Sequence, residues 1–535
     1  MTPRPNCTRR ALFLGVIVAL SVGMPGLGSV EPGSAQLHAA ESGRPNIIFI
    51  LADDMGWQDV GFAGSKLIDT PHLDRLAREG VIFSQAYASA PNCAPTRACL
   101  LSGQVTPRHR VFTVVDPRHD PGQPGHKILS TPSEAALPDA TETVAEVLQK
   151  AGYATALVGM WNLGRGRSGP GSPAGQGFDL YLNPKHLGFD QDAYRDDDGR
   201  DLTEVMTDEA MRFVGQNRKQ SFFLYFAPHA VHGPFDPPPD LLRKYRDRRT
   251  DEKGVNPAYA ATVEQLDLQI GRLMKQLEEW DLARKTLVVF TSDNGGDSAS
   301  VAPLQGGKGT LYEGGLRVPA MAWGAGVCDG GRVCGQPIQS IDFFPTLVEL
   351  AGVDRGPRQP LDGISLVPAL QGNELPAREN LFWHFPCYVG RGRPSSALRN
   401  GDWKLIENFE DQSFELYNLL TDPGERRNLA SDNPDRTRAL ARVLRDWQDR
   451  VEAPRPSEPN PKYDPAQARQ GGRGGRGGRG AGRDAGGGGG GGQGGGPGRR
   501  GPARGGPQGP QRPQGRQRPD EAQTPADQMR SEARQ

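Results

Sequence analysis

Two short polar pairs in this chain carry oxygens that could act together. Asp53-Asp54 follows the apolar run Asn46 to Leu51, and Asp293-Asn294 follows the apolar run Thr286 to Thr291, 240 positions further on. Brought to one place, they supply three carboxylates and one amide oxygen, a hard donor set that suits Ca²⁺ or Mg²⁺. Either pair alone reads as a helix cap or turn, where Asp and Asn are favoured in any protein. The cation reading therefore requires a fold that joins the two pairs.

The surrounding elements predict such a fold. Apolar β-rich runs at Asn46 to Leu51, Val81 to Tyr87, Thr155 to Val158, Phe222 to Phe226 and Thr286 to Thr291 alternate with helical stretches such as Thr141 to Lys150 and Tyr259 to Trp280. Runs that are continuously apolar, rather than alternating, indicate an α/β fold whose large, mostly parallel sheet is sandwiched by helices. Asp53, His232 and Asp293 all follow such runs, and ligands in open α/β sheets collect beyond the carboxyl ends of strands. After about Pro376 the pattern changes to short strands (Leu381 to Phe385, Ala397 to Arg399, Lys404 to Ile406, Glu415 to Asn418) and a helix, Pro434 to Val451. The expected division is a large domain over residues 41–375 and a smaller α+β domain over 376–465.

The stretch Cys93-Ala94-Pro95-Thr96-Arg97, followed by Leu100, Leu101, Ser102 and Gly103, resembles the signature of the type I sulfatases of the alkaline phosphatase superfamily. In that family the cysteine is oxidised to formylglycine. The similarity extends to Pro45-Asn46-Ile47-Ile48, Asp53-Asp54-Met55-Gly56, Thr70-Pro71-His72-Leu73-Asp74, Ser292-Asp293-Asn294-Gly295, Gly306-Gly307-Lys308-Gly309 and Tyr312-Glu313-Gly314-Gly315. Gly401-Asp402-Trp403-Lys404-Leu405 and Glu415-Leu416-Tyr417-Asn418-Leu419 carry it into the smaller domain, so it spans roughly 44–450.

The resemblance implies an alkaline phosphatase-like fold and a sulfate ester of a carbohydrate as substrate. It places Ca²⁺ (or Mg²⁺) on Asp53, Asp54, Asp293, Asn294 and the formylglycine derived from Cys93. A hydrated aldehyde bears two hydroxyls on one carbon, so one can attack sulfur and the other can expel sulfate by re-forming the carbonyl. Arg97 would hold the formylglycine and neutralise the metal site, Lys308 would meet the sulfate or the leaving oxygen, and His232 matches the family histidine near the leaving group. A maturation enzyme that oxidises Cys93 is implied as a partner.

The pattern breaks after the third apolar run. The family has Gly-Lys-Trp-His-Leu-Gly there, and this chain reads Gly159-Met160-Trp161-Asn162-Leu163-Gly164. Met160 has no charge to offer sulfate, and Asn162 hydrogen-bonds but cannot titrate. His229, or the pair Lys185-His186, could supply the missing groups from another loop. In His384-Phe385-Pro386-Cys387-Tyr388, Cys387 stands where relatives often have a histidine facing substrate. Three readings follow: a sulfatase impaired to some degree at 160 and 162, a protein of the same fold that binds sulfated glycan without efficient turnover, and a phosphonate or phosphodiester hydrolase of the same superfamily.

The remaining features bound these readings. The 63 basic and 63 acidic side chains cancel, which disfavours a nucleic-acid binder as a whole-chain reading. The balance hides net charges of +2 over residues 1–40, +8 over 466–535 and −10 between them. Arg9-Arg10 before the apolar run Ala11 to Val22 reads as a cleaved secretory signal over 1–40, hence a secreted or periplasmic protein. No later apolar run is long enough to span a membrane. The Gly/Arg/Pro/Gln-rich segment 466–535 is expected to be disordered, with a weak grip on anionic polysaccharide or cell envelope. Six cysteines are few for a disulfide scaffold; Cys328 and Cys334 bracket a Gly-rich turn and could close a small loop, and Cys99 is expected to be a packed helix residue.

Overall fold

The structure, a computed structural model, describes residues 44–467 except 115–121, 165–168, 170, 191–192, 249–253, 297–300, 328–330 and 355–357. The expected leader, nearly all of the expected tail, and Cys328 lie outside the described residues. In chain order the strands are β1 (Asn46–Ala52), β2 (Val81–Phe83), β3 (Ala86–Tyr87), β4 (Ala154–Gly159), β5 (Leu180–Leu182), β6 (Phe222–Ala227), β7 (Thr286–Ser292), β8 (Ala320–Gly324), β9 (Arg332–Cys334), β10 (Ile338–Gln339), β11 (Asn380–Phe385), β12 (Ser395–Asn400), β13 (Trp403–Asn408) and β14 (Ser413–Asn418). The helices are α1 (Pro71–Glu79), α2 (Cys93–Ser102), α3 (Thr106–His109), α4 (Val144–Lys150), α5 (Leu202–Gln216), α6 (Pro239–Asp247), α7 (Pro257–Glu279), α8 (Glu313–Leu316), α9 (Phe343–Leu350), α10 (Val367–Leu370) and α11 (Pro434–Arg450).

Among the described residues, eight strands form the main sheet in the order β5-β4-β6-β1-β7-β8-β2-β9. Every pair from β5 to β7 is parallel, while β8 runs antiparallel to both β7 and β2. The continuity of the apolar runs has a direct cause: both faces of the sheet are covered. On β1, Ile47, Phe49 and Leu51 pack with Val144, Leu148, Phe343 and Leu347 of α4 and α9. Ile48, Ile50 and Ala52 pack on the other face with Leu73, Met206, Leu266 and Leu273 of α1, α5 and α7. Each such side chain removed from water stabilises the fold by roughly 1.5–3 kcal/mol before entropy is counted.

Two expected boundaries move. Val81 to Tyr87 is not one strand, because the polar residues Ser84 and Gln85 interrupt it and donate to the carbonyls of Cys334 and Gly335. The chain thereby leaves the main sheet after β2 and re-forms as β3, which pairs with β10 in a separate ribbon. The helix expected from Thr141 begins only at Val144. Thr143 caps it: its side chain accepts from the Glu146 backbone N–H, and the Glu146 carboxylate accepts from the Thr143 N–H.

The smaller sheet, β11-β12-β13-β14, is antiparallel throughout. One face buries Leu398, Leu405 and Leu416 beneath Leu440, Leu444 and Trp447 of α11. The other buries Trp383, Phe385 and Ile406 against Tyr87, Phe112, Leu311 and Leu316. At this junction sits fully buried Lys404, whose ammonium lies 2.9 Å from carboxylate oxygens of both Glu313 and Glu425. Glu313 also accepts from the Tyr87 hydroxyl at 2.8 Å, and Glu425 accepts from the Glu313 backbone N–H at 2.6 Å.

Cys99 is a packed helix residue, with its sulfur 3.3 Å from His109 Nε2. Val111 N–H donates to Nδ1 of the same ring, so the neutral imidazole carries its proton on Nε2, toward the sulfur. Burial lowers His109 to about 3, and it lowers His384, beside Ser396 at 2.6 Å, to about 3 as well.

Two predictions follow from this packing. Removing the ammonium strands two carboxylates, so Lys404→Met should lower the unfolding free energy by about 3–5 kcal/mol in guanidinium titrations; a loss under about 1 kcal/mol would mean the cluster adds little. The buried imidazoles resist protonation down to about 3, whereas in the unfolded chain they take up protons near 6.5. Stability should therefore be complete above that higher value and fall as pH drops below it, by up to about 1.4 kcal/mol per unit per histidine. His109→Gln should flatten the slope of the denaturation midpoint between pH 6.5 and 4; an unchanged slope would contradict it.

Candidate active site

The strand register brings the two acidic pairs together. β1 and β7 pair in parallel from Asn46 opposite Thr286 to Ala52 opposite Ser292. The next residues, Asp53-Asp54 and Asp293-Asn294, therefore leave adjacent strands at the same level. The ladder continues one step further, with Asp293 N–H donating to the Ala52 carbonyl at 3.1 Å. Ser292 Oγ accepts from Met55 N–H and donates to the Asn294 carbonyl, which fixes both turns.

β6 borders β1 on its other side, and there the Asp53 backbone is zipped to the following loop: Asp53 N–H donates to Ala230 O at 3.0 Å and Val231 N–H to Asp53 O at 2.9 Å. That loop delivers His232, whose Nε2 lies 3.6 Å from Asp54 Oδ2. Nδ1 sits 2.6 Å from the Gly233 carbonyl. A carbonyl only accepts, so Nδ1 holds a proton and Nε2 is the ring nitrogen that faces Asp54. Tyr194 secures the loop by donating to the His232 carbonyl at 2.6 Å.

Cys93 opens α2, and Arg97, one turn later on the same face, is completely buried. The Arg97 guanidinium donates to Asp293 Oδ2 at 2.7 and 3.0 Å, to Asp53 Oδ2 at 3.0 Å, and to the backbone carbonyl of Met160 at 2.6 Å. Ligand atoms of Asp53, Cys93 and Asp293 lie within 4.8 Å of one another, as do those of Asp53, Asp54 and His232. The Lys308 loop is held by Lys308 N–H on Gly296 O and Gly309 N–H on Pro91 O. Its ammonium reaches Asp54 at 2.6 and 2.8 Å.

The electrostatics follow from this crowding. Burial opposes ionisation of Asp54, but Lys308, His232 and Asn294 outweigh it and hold the carboxyl below its usual range. Burial and the neighbouring Asp53 push Asp293 up, against Arg97, to about 7. Burial, with Asp53 and Asp293, also pushes the Cys93 thiol to about 12 against the pull of Lys308. As a thiol this group is therefore a poor nucleophile at neutral pH. Burial works to discharge Lys308, but the three neighbouring carboxylates keep it charged.

Two oxygens test whether a cation fits. Asp53 Oδ1 and Asn294 Oδ1 are buried without a hydrogen-bond partner, although the other polar atoms of both side chains are engaged. Buried carboxylate and amide oxygens left unmatched cost about 1–3 kcal/mol each. With Asp54 and Asp293 beside them they form an all-oxygen donor set, and the site fits a hard divalent cation.

All eight residues expected to act together converge: Asp53, Asp54, Cys93, Arg97, His232, Asp293, Asn294 and Lys308. Met160 joins them through its backbone. Gly159 makes this possible, because its φ of +124° and the 1.9 Å that would separate an added Cβ from Ala227 O exclude any other residue. Asn162 takes a left-handed conformation, φ 58°. Of the conceivable replacements, the His229 ring lies 5.0 Å from the His232 ring, centroid to centroid. His186 is engaged instead in a reciprocal cap with Asn183, and Lys185 is exposed. Cys387 is buried, 3.6 Å from the Thr131 carbonyl. Tyr194 escaped the sequence reading because no local pattern marks a tyrosine that acts on a main-chain carbonyl 38 residues away.

Comparison with known proteins agrees with this geometry. Residues 45–353 match the family model Sulfatase, and residues 307–451 match N-sulphoglucosamine sulphohydrolase, C-terminal. The chain is similar to a sulfatase of Formosa agariphila, 31% identical across 79% of this chain and 92% of that one. It is likewise similar to the human N-acetylgalactosamine-6-sulfatase, 31% identical across 78% and 87%. Among solved structures, Ps i-CgsB in complex with k-i-k-neocarrahexaose aligns with a TM-score of 0.64 at 28% identity, covering 76% of this chain and 92% of that one.

The unmatched oxygens predict that Ca²⁺ raises the thermal midpoint of the protein and that a chelator reverses the rise. At a hundredfold excess over the dissociation constant the gain is about 2.7 kcal/mol. Asp53→Asn should abolish the response in differential scanning fluorimetry; an equal response in that variant would place the cation elsewhere.

Proposed function

The chain belongs to the sulfatase family, and from that premise we propose that it hydrolyses a sulfate ester of a carbohydrate, with Cys93 oxidised to formylglycine and Ca²⁺ held by Asp53, Asp54, Asp293 and Asn294. The observation that carries this reading is the meeting of Cys93 with Asp53 and Asp293 around two unmatched buried oxygens. Relatives whose names specify N-acetylgalactosamine-6-sulfate hydrolysis, and a structural neighbour solved with a neocarrahexaose, support a sugar as the alcohol. When present, the two groups supply a hydrated aldehyde with paired hydroxyls and a Lewis acid beside it.

The chain's own residues divide the remaining work. Arg97 compensates Asp53 and Asp293 and locks position 93 at the start of α2 to the ends of β1 and β7. Lys308 brings a lasting positive charge to the rim of the site, where the sulfate monoester carries its negative charge. His232, with Nδ1 tied to a carbonyl, presents Nε2 for a proton on its way to the leaving oxygen.

Met160 and Asn162 favour a second reading in which turnover is impaired and sulfated glycan is bound without efficient release. The carbonyl of Met160 keeps its place on Arg97, but the side chain adds no charge for sulfate, and Asn162 has no proton to exchange. Neighbouring His229 is the one conceivable replacement that lies beside His232. We also propose a secreted or periplasmic location, supported by Arg9-Arg10 and the apolar run Ala11 to Val22, and a maturation enzyme acting on Cys93.

Mass analysis of the peptide containing Cys93 should show the thiol replaced by aldehyde, and the purified protein should release sulfate from a sulfated sugar faster than phosphate from a phosphodiester. A faster phosphodiester reaction would favour the third reading. Met160→Lys with Asn162→His should raise sulfate release by about two to four powers of ten if those side chains limit it. A rate that stays level or falls would remove the impaired reading.

A further inference from the structure

A second charged cleft lies at the far end of α2 from Cys93, about 15 Å along a ten-residue helix. It encloses about 420 Å³ between the loops around Gln104 and Pro360 and the end of α11, and Arg108, Arg110, Arg450 and Glu452 line it. That volume falls in the range of small-ligand sites, about 300–1,000 Å³.

The three arginines are not equivalent. Arg108 is committed to Asp362 through contacts of 2.8, 2.9 and 3.0 Å, so those charges cancel. Arg110 and Arg450 are exposed, and neither guanidinium has a hydrogen-bond or ion-pair partner among the described residues. Two free guanidiniums beside one carboxylate leave the cleft cationic.

Arg110 also holds its place at a conformational cost. Its φ is 58°, its N–H closes α3 on the Thr106 carbonyl, and its own carbonyl accepts from Glu134 N–H at 2.9 Å. Glycine takes this left-handed C-cap conformation more cheaply than a residue with a Cβ, so capping alone does not call for arginine here. Glu452, on the same cleft, is left-handed as well, with φ 53°.

We propose that this cleft is an accessory binding site for a sulfated saccharide, with Arg110 and Arg450 gripping its sulfate groups and Glu452 accepting from its hydroxyls. Guanidiniums suit sulfate because their planar donors pair with two oxygens at once. A carboxylate among them suits hydroxyl donors and disfavours an anion with no hydroxyl to offer. The site stands apart from the catalytic residues and does not depend on turnover at Cys93.

The test uses the full chain carrying Cys93→Ala, a sulfated disaccharide as probe, and calorimetry combined with hydrogen exchange. The expected result is saturable binding, slowed exchange in the segments 104–110 and 448–452, and at least tenfold weaker binding in Arg110→Gly/Arg450→Ala. Arg110→Gly suits the left-handed backbone, so the pair of changes should leave the thermal midpoint in place. Arg450→Ala alone provides a second, milder variant with a severalfold loss. Inorganic sulfate at the same concentration should protect these segments less than the disaccharide. Equal protection by sulfate, no protection at either segment, or unchanged affinity in both variants would each overturn the proposal.

Discussion

The site depends first on the pairing register of β1 with β7. Four oxygen-bearing residues can share a cation only if these strands end at the same level, and a slip by one residue would reverse which sheet face each side chain meets. The apolar centre of either strand does not prevent a slip, since both faces are buried and alternate residues are equally apolar. The ends prevent it. Asn46 donates to Thr286 at one end at 3.4 Å, and the Asp293–Ala52 bond with the two Ser292 contacts closes the other.

Given that register, the charges nearly balance. With all three carboxylates ionised and facing Arg97 and Lys308, one net negative charge remains among these five side chains. A divalent cation would turn that into one net positive charge, which is what a monoester anion requires. Arg97 is more than a counter-charge, because its guanidinium touches residues from the ends of three strands and begins one turn from Cys93. Breaking so buried a pair on one side usually costs about 3–5 kcal/mol, so the same contacts that set the chemistry also hold the sheet ends together.

Much of this was legible in the sequence because it was written in local patterns. Continuous apolar runs announced the parallel strands, the change of pattern near Pro376 announced a smaller α+β unit, whose sheet is antiparallel, and the motifs around Cys93, Asp53, Asp293 and Lys308 announced residues that the fold brings together. What was not legible depends on distant partners. Ser84 and Gln85 split an apolar run because carbonyls some 250 residues away receive their side chains. Tyr194 and the Met160 carbonyl act through main-chain atoms, whose roles leave no mark on residue type.

The Met160 carbonyl also decides how the departure at 160 and 162 should be understood. If the side chains there had helped to build the site, their replacement should have loosened it. Instead the backbone remains bound on both sides, with Met160 N–H on Ala227 O at 2.7 Å and Met160 O under Arg97 at 2.6 Å. Gly159 and the buried Trp161, which donates to Gly171 O at 3.2 Å, fix the flanking residues. The scaffold at this corner is thus held by the main chain of Met160 and by its neighbours Gly159 and Trp161. The two contacts at Met160 use main-chain atoms alone, so they place no demand on the side chain at that position.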